Sequence, residues 1–309
     1  VLGELAGLPR VTVMTRTTAQ GLYDGSTVAR AERRDHLAPD PAKGEARMVL
    51  TTLTARRIVF ATGALERPLV CKDNDKPGVM LAGALRSYLA RWALLPAGPV
   101  LIAANNDGAY PAARDLALSG ARVTLADERA DIEPALAEAM AAAGVELLAG
   151  ARLARVLGAR AVVGATLLLA DGSEMRLPAA AIGLSGGWSP AVHLTSHGGI
   201  KPRWDEATAC FLPGGFAAGH AGVGALMGHF RLADAVAGGF AAGAEAAAAC
   251  GHGGDGGRLE PPPVALAVDA GRIAWRLPQL VRGKAFLDFQ NDVTAADVAQ
   301  AFDEGYRSV

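Results

Sequence analysis

The sequence has few cysteines, no long apolar run and almost no net charge. Cys71, Cys210 and Cys250 are its only three cysteines. Odd in number and far apart, they exclude a disulfide framework and fit a reducing cytoplasm. No apolar run reaches the ~18 residues of a membrane span, so no membrane is expected. The net charge of −1 gives no electrostatic hold on nucleic acid or on an acidic membrane surface. The opening Val1-Leu2-Gly3-Glu4 has neither a basic stretch nor a Met. It is no signal peptide, and the missing Met points to a piece of a longer chain. His193, His197, His220 and His229 match no metal-ligand spacing, so solvated or locally bonded histidines are favoured and no metal site is expected. No nucleophile and base pair up, which leaves the catalytic set empty.

What is present is organised around one stretch, Arg57-Ile58-Val59-Phe60-Ala61-Thr62-Gly63-Ala64-Leu65-Glu66-Arg67-Pro68. The apolar run Ile58 to Ala61 predicts a short strand covered on both faces. Thr62-Gly63 stops it, and a glycine there lets backbone approach a ligand. Pro68 fixes the exit. A similar ending recurs at Ala179 to Pro190. With 309 residues, 51% of them apolar, there is material for two cores. The expected fold is α/β, with two Rossmann-like dinucleotide-binding domains, the second inserted in the first. A linker and a short helical segment follow. The expected boundaries are 1–97 and 206–250 for the first domain and 98–205 for the inserted one. The linker takes 251–285, and 286–309 start a small helical domain.

Taken in order, 1–10 read as a helix end and a loop, and Val11 to Met14 as an alternating strand. Strands are expected at Thr17 to Leu22 and Val28 to Arg34, then a solvent loop over 35–46, and Arg47 to Thr54 pairs back. Residues 79–95 read as a helix between Pro77-Gly78 and Pro96, within a crossover over 70–97. Val100 to Ala103, a helix from Pro111 to Gly120, and Arg122 to Ala126 make a βαβ unit. Pro134 to Ala143 is a helix and Val145 to Leu148 a strand. Val162 to Leu177 is a hairpin turning at Asp171-Gly172. Leu232 to Cys250 is an Ala-rich helix whose small side chains permit close packing. Thr294 is a candidate N-cap, with Asp297 three residues on.

The turn Ala104-Asn105-Asn106-Asp107-Gly108-Ala109 lies in register with G-x-G-x-x-G. Its three glycine positions hold Ala104, Asn106 and Ala109. A side chain at the middle one obstructs a pyrophosphate, and Asp107 adds negative charge there. The favoured reading is a fold relic that binds no dinucleotide well. Asp127, roughly 20 residues on where a ribose carboxylate would sit, then reads as a surface carboxylate.

Several stretches together resemble the α subunit of heterotetrameric sarcosine oxidase: 61–70, Asp73-Asn74-Asp75-Lys76-Pro77-Gly78-Val79-Met80-Leu81, 185–194, and Gly283-Lys284-Ala285-Phe286-Leu287-Asp288-Phe289-Gln290-Asn291-Asp292-Val293-Thr294. The resemblance implies an NAD-carrying core of a subunit in a complex with β, γ and δ subunits. That complex demethylates sarcosine to glycine, passing the methyl carbon to tetrahydrofolate and electrons to oxygen. FAD and the amine site belong to β, FMN lies near the α–β interface, and the folate domain follows Val309. By the same resemblance, the first glycine fingerprint is expected before Val1.

Carried over by residue, Thr62 and Gly63 line the NAD site and Ala19 meets the adenine. Gly219, His220, Val223 and Ala225 pass near the pyrophosphate and ribose. His220 stands where such proteins usually have Asp. Related opine and cyanide-forming oxidases place C-x-C at Asp288 and Gln290, and Asp and Gln are poor soft-metal ligands. Two alternatives stay open. One is an NAD(P)H-dependent flavin oxidoreductase of the disulfide reductase type. The other is a non-catalytic scaffold subunit of an opine or amino acid oxidase.

Overall fold

A computed structural model describes residues 2–34, 46–252, 261 and 283–306. The chain opens with α1 (Leu2–Ala6), followed by an antiparallel sheet of β1 (Thr17–Tyr23), β2 (Thr27–Arg33) and β3 (Met48–Thr54). β4 (Ile58–Phe60) and β5 (Ala64–Glu66) bracket Thr62-Gly63. Then come β6 (Val79–Leu81) and α2 (Ala82–Trp92), β7 (Val100–Ala104) and α3 (Tyr110–Leu118), β8 (Val123–Asp127) and α4 (Pro134–Ala142), and β9 (Glu146–Ala149). A meander of β10 (Arg152–Leu157), β11 (Gly164–Leu168) and β12 (Glu174–Pro178) leads into β13 (Ala181–Ser185). β14 (Trp188–Pro190), α5 (His193–Ser196), β15 (Arg203–Asp205), β16 (Cys210–Leu212), β17 (His220–Gly222) and α6 (Leu232–Ala247) follow. Beyond Gly283 lie β18 (Phe286–Asp288), β19 (Val293–Thr294) and α7 (Ala295–Asp303).

The centre is a five-stranded parallel sheet in the order β6-β13-β7-β8-β9. Every residue of β7 is buried, as a strand covered on both faces requires. Its alternation divides the core in two. Val100, Ile102 and Ala104 face the cluster formed with α2, α3 and α4, while Leu101 and Ala103 face the meander side with Leu153, Val156 and Leu167. Gly183 of β13 has no room for a side chain: a Cβ there would lie 2.6 Å from Ile102 Cδ1 and 3.2 Å from Ala82 Cα. α2 therefore sits directly on the sheet.

The first unit is thinner. β4 pairs in parallel with β17, and its core is Leu22, Phe60 and Leu226 with a few half-buried neighbours. α7 begins with a capping box in which Thr294 Oγ1 accepts from the Asp297 backbone N–H and the Asp297 carboxylate accepts from the Thr294 N–H.

Several expectations need correction. Val11 to Met14 form no strand: all four are exposed, and an alternating run without a neighbour to pair with has no ladder. Residues 79–95 start as strand, because Val79-Met80-Leu81 is a short apolar run that periodicity cannot assign. Since β6 pairs with β13, that part of 70–97 lies on the sheet of the inserted domain. β10 adds a third strand to the expected hairpin. No side chain of α6 is fully buried, but the helix packs along β4 and the turn Gly224–Met227, where a Cβ on Gly224 would lie 3.6 Å from Ala235 Cβ. The loop over 35–46 and the linker 251–285 lie largely outside those residues.

Ile102 and Leu118 separate core from surface. Ile102 is fully buried and Leu118 is 60% exposed. Ile102→Ala is expected to lower unfolding free energy by about 2–5 kcal/mol, and Leu118→Ala by no more than about 0.5 kcal/mol. Urea unfolding of both variants checks this, and equal losses would mean the core has been misplaced.

Candidate functional site

Two places carry the features of a nucleotide site. The first is the carboxyl end of β4. Thr62 Oγ1 donates to the Ala191 carbonyl at 3.1 Å, and the Ala191 N–H donates to the Gly63 carbonyl at 3.0 Å. Gly63 has φ +73°, and a Cβ built on it meets nothing within 4 Å. This is backbone held in the left-handed region with open space above it. The Val223 N–H donates to the Phe60 carbonyl at 3.0 Å, and Ala225 lies in the tight turn Gly224–Met227 that follows. Val223 and Ala225 thus continue from the end of the β4–β17 pair at which Thr62 and Gly63 stand.

Gly219 and His220 do not. β17 runs parallel to β4 with His220 opposite Ile58, and the Ile58 N–H donates to the Gly219 carbonyl at 3.1 Å. Both therefore stand at the amino end. His220 Nε2 bonds Ser26 Oγ at 3.0 Å, and its ring meets the edge of Phe60. Ala19 is exposed on β1, opposite Arg30. The stretch 191–197, assigned no site role from the sequence, links these elements. Ala191 binds Thr62 and Gly63, and His197 Nδ1 accepts from the Leu22 N–H of β1 at 3.3 Å.

The second place is the turn after β7, the expected relic. Asn106 turns its side chain inward: Oδ1 accepts from the Gly108 N–H at 2.9 Å, and Nδ2 donates to the Ser185 carbonyl at 2.9 Å. The Trp188 indole lies across it, with Nε1 3.1 Å from the position of a Cβ on Gly108. Arg129 fills what remains. It pairs with Asp107 at 2.6 Å and with Asp127 at 2.7 Å, and the Tyr110 hydroxyl donates to Asp127 at 2.9 Å.

Asp127 is fully buried, which overturns its reading as a surface carboxylate. A carboxylate at the end of a buried strand is retained inside only when paired, and Arg129 supplies the pair. Burial alone would lower the Arg129 pKa, but its bonds to Asp127 and Asp107 raise it above the usual arginine value. Burial and the neighbouring Asp127 push the Tyr110 hydroxyl up, so it stays protonated as a donor.

A polar line reaches this turn from β5. Glu66 Oε2 accepts from the Gly83 N–H at 2.8 Å, and its carboxyl bonds Ser185, which also bonds Asn106. Burial raises the Glu66 pKa, against the opposing bonds to Ser185 and Gly83. Elsewhere burial, then Asp73, pushes the Cys71 thiol up to about 12, leaving it inert. Asp288 spends its carboxylate on the backbone of Gln290 and Asn291 and on the Asn291 side chain. Among the described residues no group of three His, Cys, Asp or Glu could hold a metal ion, and no helix is long and apolar enough to cross a membrane.

Two results are expected here. Arg129→Met strands two buried carboxylates and should cost about 3–5 kcal/mol in urea unfolding; a loss under about 1 kcal/mol would mean that the network is solvated. Glu66 titrates in the opposite sense to a salt-bridged acid. Its folded value lies above the ordinary 4.5, so the folded chain holds that proton more tightly. The resulting stability is complete below pH 4.5 and is lost as pH rises through the folded value. The melting temperature of Glu66→Gln should therefore gain on the parent as pH rises above 4.5, and a pH-independent difference would contradict this.

Residues 282–309 match the sarcosine oxidase A3 domain family. The whole chain aligns at 36% identity with the sarcosine oxidase α subunit of Corynebacterium sp. (strain P-1), covering 33% of that subunit. The α subunit of Rhizobium meliloti (strain 1021) aligns at 34% identity over 99% of the chain and 30% of its own length. Among solved structures, L-proline dehydrogenase from P. horikoshii superposes with TM-score 0.60 at 16% identity, covering 99% of this chain and 56% of that one. This last likeness is one of fold. The chain is thus related over its whole length to sarcosine oxidase α subunits, and it spans about a third of the length of those relatives.

Proposed function

We propose that this chain is the NAD-carrying core of a sarcosine oxidase α subunit, with the nucleotide at the carboxyl end of β4. The observation that carries this reading is the open backbone at Gly63, beside Thr62, Val223 and Ala225. An adenosine group fits such a cradle, since a glycine with positive φ admits close approach by a ligand. The alignment with α subunits supplies the substrate class. In this reading the complete enzyme oxidatively demethylates sarcosine to glycine, with the methyl carbon passed to tetrahydrofolate and electrons to oxygen. FAD and FMN sit with the β subunit and at its interface, the γ and δ subunits complete the complex, and the whole is cytoplasmic.

When bound, NAD supplies a nicotinamide ring able to accept a hydride. The residues of this chain hold and orient it. Thr62 fixes the end of β4 through Ala191, and Gly63 leaves the approach clear. At the other end of the strand pair, His220 supports the β1–β2 turn through Ser26 and Gly219 accepts from the Ile58 N–H of β4 in this account. The inserted domain is not a second nucleotide site: Asn106, Trp188 and Arg129 take the space and the charge that a pyrophosphate would use.

Calorimetric titration of NAD into the full α subunit tests both halves. Gly63→Ala and Gly63→Val should weaken NAD at least tenfold, about 1.4 kcal/mol, with unchanged circular dichroism. Asn106→Gly should leave the affinity as it was. Loss of binding in Asn106→Gly, with Gly63→Val unaffected, would place the nucleotide in the inserted domain instead.

A further inference from the structure

A cleft of about 450 Å³ opens one strand over from the sealed turn, at the carboxyl ends of β6 and β13. Met80, Leu81 and Leu184 line it from the sheet, Pro68 and Pro77 from the connecting segments, and Phe289 from the segment beyond Gly283. Its size falls in the ~300–1,000 Å³ range of small-molecule sites, and the carboxyl edge of a parallel sheet is where such folds take ligands.

The segment that carries Phe289 is tied down at Lys284 and Phe286. The Asp73 N–H donates to the Lys284 carbonyl at 2.7 Å. Asn74 Nδ2 donates to the Phe286 carbonyl and Asn74 Oδ1 accepts from the Phe286 N–H, both at 2.9 Å. Ala285 between them is fully buried, and the Phe286 ring stacks on Phe289 with centroids 5.6 Å apart.

The polar groups at the rim are matched among themselves. Asn74 uses its amide on Phe286, Asp75 pairs with Lys284, and Lys76 pairs with Asp73 at 3.4 Å. A phosphate-bearing ligand calls for uncompensated cations or a free helix N-terminus; α2 begins after Leu81 at this cleft, but the Glu66 carboxylate already accepts from the Gly83 N–H there. An uncharged ring loses nothing against this apolar lining. We propose that the cleft binds an uncharged aromatic small molecule, stacked on Phe289.

The test uses Nile red, a neutral aromatic dye, titrated by fluorescence into the full α subunit, with inorganic phosphate and flavin mononucleotide as competitors. Saturable binding of one dye per chain is expected, insensitive to both anions. Phe289→Glu, at a position 47% exposed, should weaken it at least tenfold. Asn74→Ala, which releases the clamp, should weaken it as well. Leu118→Glu, exposed and outside the cleft, should not. Absence of saturable binding, equal affinity in Phe289→Glu, or displacement by phosphate or by flavin mononucleotide would each overturn the proposal.

Discussion

A buried arginine between two buried aspartates holds together the ends of the central strands β7 and β8. Arg129 joins Asp107, on the turn after β7, to Asp127, at the end of β8. Asp107 and Asp127 are 3% and 0% exposed, and without the guanidinium both would be buried with no cationic partner. That network ties the edges of two central strands together, and it occupies the ground where a dinucleotide domain of this topology would hold phosphates. Asn106 and Trp188 close the same space from the other side. The inserted sheet keeps the architecture of a nucleotide fold, and the polar groups of the turn after β7 are paired with one another.

The consequence extends to the neighbouring elements. Ser185, which receives Asn106, also meets Glu66 on β5, so the sealed turn is connected to the segment leaving Thr62-Gly63. Glu66 in turn accepts from Gly83 at the start of α2. One polar line thus runs from the start of α2 through Glu66 and Ser185 to Asn106 in the turn after β7. Its members are buried or nearly so, which is why each has a partner.

Much of this was legible in the sequence. β7 could be read because a fully covered parallel strand is a continuous apolar run, and the box at Thr294 and Asp297 because capping is local chemistry. The departure of Ala104, Asn106 and Ala109 from the glycine pattern is likewise read directly from the chain. Asp127 was misread because its fate depends on Arg129 and on Asp107, and Asp107 is distant in sequence. No local pattern announces that triangle. The separation of Gly219 and His220 from Thr62 and Gly63 is a matter of strand register, and register between β4 and β17 is set by tertiary pairing. Val79 to Leu81 was read as helix because three apolar residues carry no period.

The account stands on one of two nucleotide-type edges being open and the other shut. The direct measurement is a crystal structure of the full α subunit soaked with NAD. The account predicts ordered nucleotide against Thr62 and Gly63, with Arg129 still paired to Asp107 and Asp127. Nucleotide density over Asn106, with Arg129 turned out of its pair, would contradict it.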